Sequence, residues 1–227
     1  NRILLFDYAH PPQRYRVTKR FRSRGLASVS NKLVMYQHAV ELLGDAGYCY
    51  IGLGQFALAD DPLVSAREDA ILRYNRLGYS CQPEANLLGL GMGAVSQIGA
   101  LQLQNRRDAA SYQAQLELGQ LAVFHGHRCS AQEQMQRALS DALLCNFQVD
   151  LQALERRFGA LLRDYLAVRK PVLEQMADDG LLALSAGSLT ILPAGRLLVG
   201  AVCKVMEQGR AEPETVRRRV HNLSVLS

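Results

Sequence analysis

No apolar run in this chain reaches the ~18 residues that a membrane-spanning helix needs. The longest candidates, 197–205 and 87–95, are short or interrupted by glycine. Cysteine is sparse and scattered, at Cys49, Cys81, Cys129, Cys145 and Cys203, without a CxxC or CxxxC pair. No cysteine pair therefore resembles a zinc or iron–sulfur ligand run, and the odd count at wide intervals suits a reducing cytosol better than a disulfide scaffold. The chain also lacks the Gly-Lys-Ser/Thr end of a phosphate loop, a nucleophile elbow and an HExxH helix. It has no collagen period, no internal repeat and no basic–apolar–cleavage pattern of a secretory signal. It begins at Asn1 and enters the apolar stretch Ile3-Leu4-Leu5-Phe6 almost at once. A core-type strand in that place gives the expectation of a piece of a longer chain.

What is present is a globular composition. Of 227 residues, 48% are hydrophobic and 21% charged. A chain of this size buries roughly 70% of its unfolded surface, which excludes disorder as the main state. The length allows one large domain, or a medium one with a smaller companion. The net charge of +5 is local. Arg14, Arg16, Lys19, Arg20, Arg22 and Arg24 fall within eleven residues that contain no acid, and Arg217, Arg218 and Arg219 form a second cluster. Basic patches attract nucleic acid, membrane phosphate or anionic substrates, but each cluster by itself reads as a solvated loop or tail.

Along the chain, residues 2–8 read as a buried strand and 11–27 as a long loop. Residues 31–44 read as an amphipathic helix carrying Leu33, Tyr36, Val40 and Leu43, with Ser30 able to cap its start and Gly47 to follow its end. A strand at 48–53 follows. This order is that of one repeat of a parallel α/β sheet, with Tyr8-Ala9-His10 and Gly54-Gln55-Phe56 at the functional C-terminal ends of the strands. Asp60-Asp61-Pro62 starts a helix expected to run to Asn75, the acids complementing its dipole. The glycines at 89, 91 and 93 allow close backbone approach, with packing as the default reading. From residue 108 the pattern is helical, with candidates at 109–120, 130–145 and 151–178, the last broken at Gly159 or Pro171. A hairpin over 181–191 and a helix over 194–207 complete a winged-helix-like order. The polar stretches at 14–24 and 105–108 have no hydrophobic period and are expected to be the first protease sites.

Catalytic chemistry is thin on these residues. His125-Gly126-His127 would be a metal pair only if a third ligand converged on it; the stretch reads as a turn, so loop histidines are the expectation. His38 reads as a surface helix residue. His10 fits a hydrogen-bonded structural histidine as well as a catalytic one. Cys145 and Cys203, in apolar helical contexts, read as small core residues.

Several segments, taken in order, resemble the oxygen-independent coproporphyrinogen III oxidase family (coproporphyrinogen dehydrogenases). They are Phe6-Asp7-Tyr8-Ala9-His10-Pro11-Pro12, Gly47-Tyr48, Ile51-Gly52-Leu53-Gly54-Gln55-Phe56-Ala57, Asp60-Asp61, Arg73-Tyr74-Asn75, Gly78-Tyr79 and Leu87-Leu88-Gly89-Leu90-Gly91. Leu144-Cys145-Asn146-Phe147, Asp179-Gly180-Leu181 and Gly195-Arg196-Leu197-Leu198 follow. The resemblance covers the whole chain but only the family's C-terminal half. It implies an α/β fold: residues 1–106 as the C-terminal part of an incomplete radical-SAM (β/α) barrel, and 107–227 as a mainly helical, winged-helix-like C-terminal domain with a small β-hairpin. It implies a cytoplasmic, monomeric radical S-adenosylmethionine oxidoreductase of haem and porphyrin biosynthesis. Its cofactors are S-adenosylmethionine and a [4Fe-4S] cluster whose ligands lie upstream, its substrate is the tetrapyrrole coproporphyrinogen III, and it needs an electron donor.

Residue by residue, the resemblance places Ala9 and Val95 on the wall of the cofactor pocket, Val95 where the family usually has Ile. Arg76 and Leu77 stand beside cofactor or substrate, where the family has an aromatic–glutamine pair. Gln55 replaces a histidine, and Leu58-Ala59 an Arg-Pro. No residue of this half is expected to be catalytic or to bind a metal. The basic loop 14–24 could meet substrate propionates, since Arg suits bidentate carboxylate contacts. The alternative reading is a non-enzymatic haem- or nucleic-acid-binding relative that uses the winged-helix-like end; nucleic acid is the less expected partner.

Overall fold

A computed structural model describes residues 1–6, 26–75, 78–82 and 86–207. Ala9, His10, the basic loop 14–24, Arg76, Leu77 and Arg217–Arg219 lie outside the described residues. The fold is mixed α/β, and every strand pairing among the described residues is antiparallel.

The first layer holds β1 (Arg2–Leu4), α1 (Val29–Asp45), β2 (Tyr48–Gly52) and β3 (Gln55–Leu58), with sheet order β1-β3-β2. Helix α1 forms where expected, but Ser28 rather than Ser30 caps it, accepting from the Asn31 backbone N–H at 3.1 Å. Strand β2 does not end in an open loop. Leu53 and Gly54 both take left-handed φ, 45° and 81°. Positive φ at both residues matches the right-handed strand twist and folds the chain into a tight hairpin. Gln55 and Phe56 therefore belong to the central strand β3. Because β1 and β2 both run antiparallel to β3, they are parallel to each other as the repeat expects, but the inserted β3 stands between them.

Helix α2 (Pro62–Glu68) starts as its sequence implies. Asp61 caps it, accepting from the Leu63 N–H at 2.9 Å, with Pro62 in the first turn, where a missing N–H costs nothing. It stops early: Ala70 takes φ 56°, and residues 73–75, expected to be helical, form β4 (Arg73–Asn75), paired with β5 (Gly78–Ser80).

Next come β6 (Val95–Ile98), β7 (Leu101–Asn105), α3 (Ala109–Glu117) and β8 (Val123–Arg128), with sheet order β6-β7-β8. The expected junction at 106/107 thus falls between two hydrogen-bonded strands. The stretch 105–108, read as exposed chain, is held by its backbone: Asn105 N donates to Ala94 O at 2.9 Å, Arg106 N to Ala122 O at 2.8 Å, and Arg106 O accepts from Gly93 N at 2.8 Å.

The helical part follows the sequence closely. It comprises α4 (Ala131–Asn146), β9 (Gln148–Asp150), α5 (Leu151–Phe158), α6 (Ala160–Asp178), the hairpin β10 (Leu182–Leu184) and β11 (Ser188–Ile191), a 3-10 turn at Pro193–Leu198 and α7 (Val199–Glu207). Gly159, at φ 56°, separates α5 from α6, while Pro171 is absorbed inside α6. Strand β11 lies between β10 and β9. Met135, Leu139 and Leu143, spaced four apart on α4, are fully buried against Leu162, Leu182, Leu189, Ile191, Val199 and Val202. A second core holds Ile51, Ala57, Leu63, Val64, Leu72 and Tyr79, and Cys145 of α4 reaches into it. Burial pushes the thiols of Cys145 and Cys203 up to about 12, as inert core positions require.

Candidate functional site

Among the residues expected to form the cofactor site, Val95 lies among the described residues. It opens β6, half-buried, in register with Gln104 of β7. The glycine-rich segment is built around it. Leu87 and Gln97 exchange two backbone hydrogen bonds of 2.7 Å, which draws the segment along β6. Gly89 then passes so close that a Cβ there would stand 2.7–2.8 Å from the backbone O, C and N of Val95. No side chain fits in that space, so this glycine serves close packing. Gly89 N donates to the buried Ser96 Oγ at 3.0 Å. Asn105 Nδ2 donates to Gly89 O and Gly91 O at 3.1 and 3.0 Å, and Gly91 N donates to the Tyr112 hydroxyl at 3.1 Å.

The residues alternating with these glycines face outward. Leu88, Leu90 and Met92 are 66%, 83% and 54% exposed. The loop is rigid at its backbone and apolar at its rim, beside the Val95 strand.

Other sequence candidates resolve differently. Asp61 is a buried cap, and the Arg2 guanidinium, donating from Nε at 2.8 Å, holds its carboxyl below the usual carboxylate range. His38 lies on the surface, 3.7 Å from Glu41. The stretch His125-Gly126-His127, read as a turn, is strand β8, so its two imidazoles project from one face. His127 Nε2 lies 2.9–3.0 Å from the Glu133 carboxylate, and Cys129 stands close by. Sequence reasoning missed this convergence. Its visible signal was the Ser130–Glu133 capping box, which anchors Glu133 in the first turn of α4. A surface cleft of about 610 Å³ beside α6 and α7 is lined by Leu161, Asp164, Tyr165, Val168 and Arg169 among others, with no histidine or cysteine.

The described residues do not fit an iron–sulfur cluster. A cluster needs three or four close thiolates. Among those residues, the convergent metal-ligating group contains one cysteine, and Cys145 and Cys203 are buried in apolar packing. Nor does any described helix have the length and apolarity to cross a membrane.

Comparison with known proteins places this geometry. The HemN C-terminal domain family matches residues 129–198. An oxygen-independent coproporphyrinogen III oxidase of Pseudomonas aeruginosa is 41% identical over 92% of this chain and 45% of its own length. The enzyme of that name from Salmonella typhimurium is 32% identical over 89% of this chain and 44% of its own. The solved structure of coproporphyrinogen III oxidase (HemN) from Escherichia coli, a radical SAM enzyme, superposes with a TM-score of 0.83 at 30% identity, covering 91% of this chain and 48% of that one. The chain thus spans somewhat under half the length of these relatives.

Proposed function

From a chain that matches the C-terminal half of the oxygen-independent coproporphyrinogen III oxidase family, we propose the C-terminal portion of a radical S-adenosylmethionine enzyme of tetrapyrrole synthesis. The observation that carries this reading is agreement in sequence and in three dimensions over nine-tenths of the chain. In the whole enzyme, the cofactor would supply the radical chemistry that turns substrate propionates into vinyl groups, and Ala9 and Val95 of this chain would line its pocket. The front half, not this chain, would hold the [4Fe-4S] cluster.

The contribution proposed for this chain is positional. Residues 1–106 close the barrel, with Ala9 and Val95 as apolar walls beside S-adenosylmethionine. The apolar rim of Leu88, Leu90 and Met92 next to Val95 supports a face covered by cofactor or by the front half, since free solvent would favour polar residues there. Arg76 faces a carboxylate, either a substrate propionate or the methionine end of the cofactor; a guanidinium attracts such a group and repels the sulfonium. Leu77 lies next to it. The helical, winged-helix-like domain expected over 107–227 is assigned to the run from α4 to α7, since β8 pairs with β7 across that boundary.

The nucleic-acid alternative gains no support. On the exposed face of α6, the helix such a module would lay into a groove, Arg163 pairs with Glu155 at 2.7 Å and Lys170 with Glu174 at 3.6 Å. Asp164 and Asp178 add negative charge there, whereas nucleic-acid affinity rests on unpaired cations.

The test uses the full-length protein, assayed anaerobically with S-adenosylmethionine, a reductant and coproporphyrinogen III. Vinyl product is the expected result. A full-length protein with a CxxxCxxC motif and a reconstituted cluster, yet no decarboxylation, would refute the reading. Within it, Arg76→Gln is expected to weaken binding of the tetracarboxylate or of S-adenosylmethionine about tenfold, the scale of one charge-assisted contact, with stability unchanged.

A further inference from the structure

One histidine of the pair that lacked a third ligand in the sequence, His127, meets two further donors in the fold. Strand β8 ends at Arg128 and α4 begins at Ala131, so Cys129 and Ser130 turn the chain between them. The Cys129 backbone is held from both sides: its N–H donates to Ala100 O at 2.8 Å, and its carbonyl accepts from Gln134 Nε2 at 3.1 Å. The Glu133 carboxylate is likewise fixed, accepting from Ser130 N at 2.8 Å and Ser130 Oγ at 3.1 Å. A His127 ring nitrogen, Cys129 Sγ and a Glu133 oxygen lie within 4.8 Å of one another.

We propose that His127, Cys129 and Glu133 form a zinc(II) site that ties the end of the β6–β8 sheet to the first turn of α4. An imidazole, a thiolate and a carboxylate make a donor set for a borderline-soft ion; magnesium and calcium prefer oxygen alone. At ordinary zinc–ligand lengths, tetrahedral donors stand about 3.3–3.7 Å apart. The His127–Glu133 contact of 2.9–3.0 Å therefore opens by about half an ångström, and the sulfur, within 4.8 Å of both, closes in by up to about an ångström. Side-chain exposures of 47% for His127 and 26% for Glu133 leave a path for the ion and for a water in the fourth position.

The positive end of the α4 dipole opposes a cation here. The two anionic donors, Cys129 and Glu133, neutralise the charge the ion brings. On binding, the Cys129 thiol proton passes to solvent, and the imidazole carries its remaining proton on Nδ1. The site also stands at residue 129, where the match to the HemN C-terminal domain begins. It does not depend on the tetrapyrrole reading, because no proposed substrate or cofactor contact is used.

The test is titration of the chelator-stripped, reduced chain with Co²⁺, followed by Zn²⁺. One equivalent of Co²⁺ is expected to bind with a sulfur-to-cobalt charge-transfer band and tetrahedral visible bands, both erased by Zn²⁺. Cys129→Ser should abolish the charge-transfer band. His127→Gln and Glu133→Gln should each weaken Zn²⁺ binding about 10–100-fold, with metal-free circular dichroism unchanged; Gln at 133 keeps the capping hydrogen bonds and so the helix start. Absence of stoichiometric binding, a thiolate band that survives Cys129→Ser, or wild-type affinity in both Gln variants would each overturn the site.

Discussion

Replacing Tyr79 by Phe probes the seam between the two cores. The Tyr79 ring is 7% exposed, and its hydroxyl donates to the Leu144 carbonyl at 2.9 Å. Leu144 lies in the last turn of α4, where helix carbonyls run out of intrahelical donors. Burial also pushes the phenol pKa well above its ordinary value, so this group stays a donor at any working pH. Removing the hydroxyl leaves a buried carbonyl unsatisfied, at a cost of about 1–3 kcal/mol.

Beside the same hydroxyl sits Gly52, at φ 146°, where an added Cβ would stand 2.1 Å from Tyr79 Oη, 2.9 Å from Cζ and 3.4 Å from Leu144 O. Gly52→Ala therefore combines overpacking with backbone strain, about 2–5 kcal/mol together. Because both changes act on one oxygen, they are coupled. In the double variant the worst clash is gone, and the loss is expected to fall short of the sum by about 1 kcal/mol or more. Urea unfolding followed by far-UV circular dichroism measures all four proteins, the chain having no tryptophan to report by fluorescence. Single losses that add within about 0.5 kcal/mol, or a Tyr79→Phe variant as stable as wild type, would refute this account of the seam.

Leu139→Ala, at a fully buried position of α4, is expected to cost about 2–5 kcal/mol and to lower the urea midpoint without a change in slope. Asp61→Asn keeps an N-cap but loses the Arg2 ion pair. The folded Asp61 pKa is depressed, so its stabilisation is present above the unfolded value of about 4 and lost as pH falls through the folded one. The variant should thus be less stable at neutral pH and show a flatter acid limb in pH-dependent unfolding. Gly89→Ala pushes the loop off Val95 and should bring early proteolysis to 87–94, with helical content retained. The chain reconstituted anaerobically with iron and sulfide should form no stoichiometric cluster; a stable, cysteine-dependent absorption would contradict the reading of its thiols.

The helical part was legible because local signals agreed with one another there. The helical pattern marked 130–145, a break was expected at Gly159 or Pro171 and falls at Gly159, and Asp179-Gly180 turned the chain into the hairpin over 181–191. Asp61-Pro62 read as a helix start for the same reason, since capping is a matter of adjacent atoms. The family resemblance came from ordered short segments, and agreement over most of the chain supports it. Composition and periodicity, in contrast, could not assign strand partners. Residues 48–53 have the same alternation whether the next strand lies parallel at a distance or antiparallel after two residues; the left-handed φ of Leu53 and Gly54 decided it. The stretch 123–128 lacked a buried face, so nothing in its pattern distinguished strand from turn until β7 supplied hydrogen-bond partners. The convergence of His127, Cys129 and Glu133 followed from that pairing. A strand end, a two-residue turn and a helix start bring these side chains together only when tertiary contacts hold all three in place.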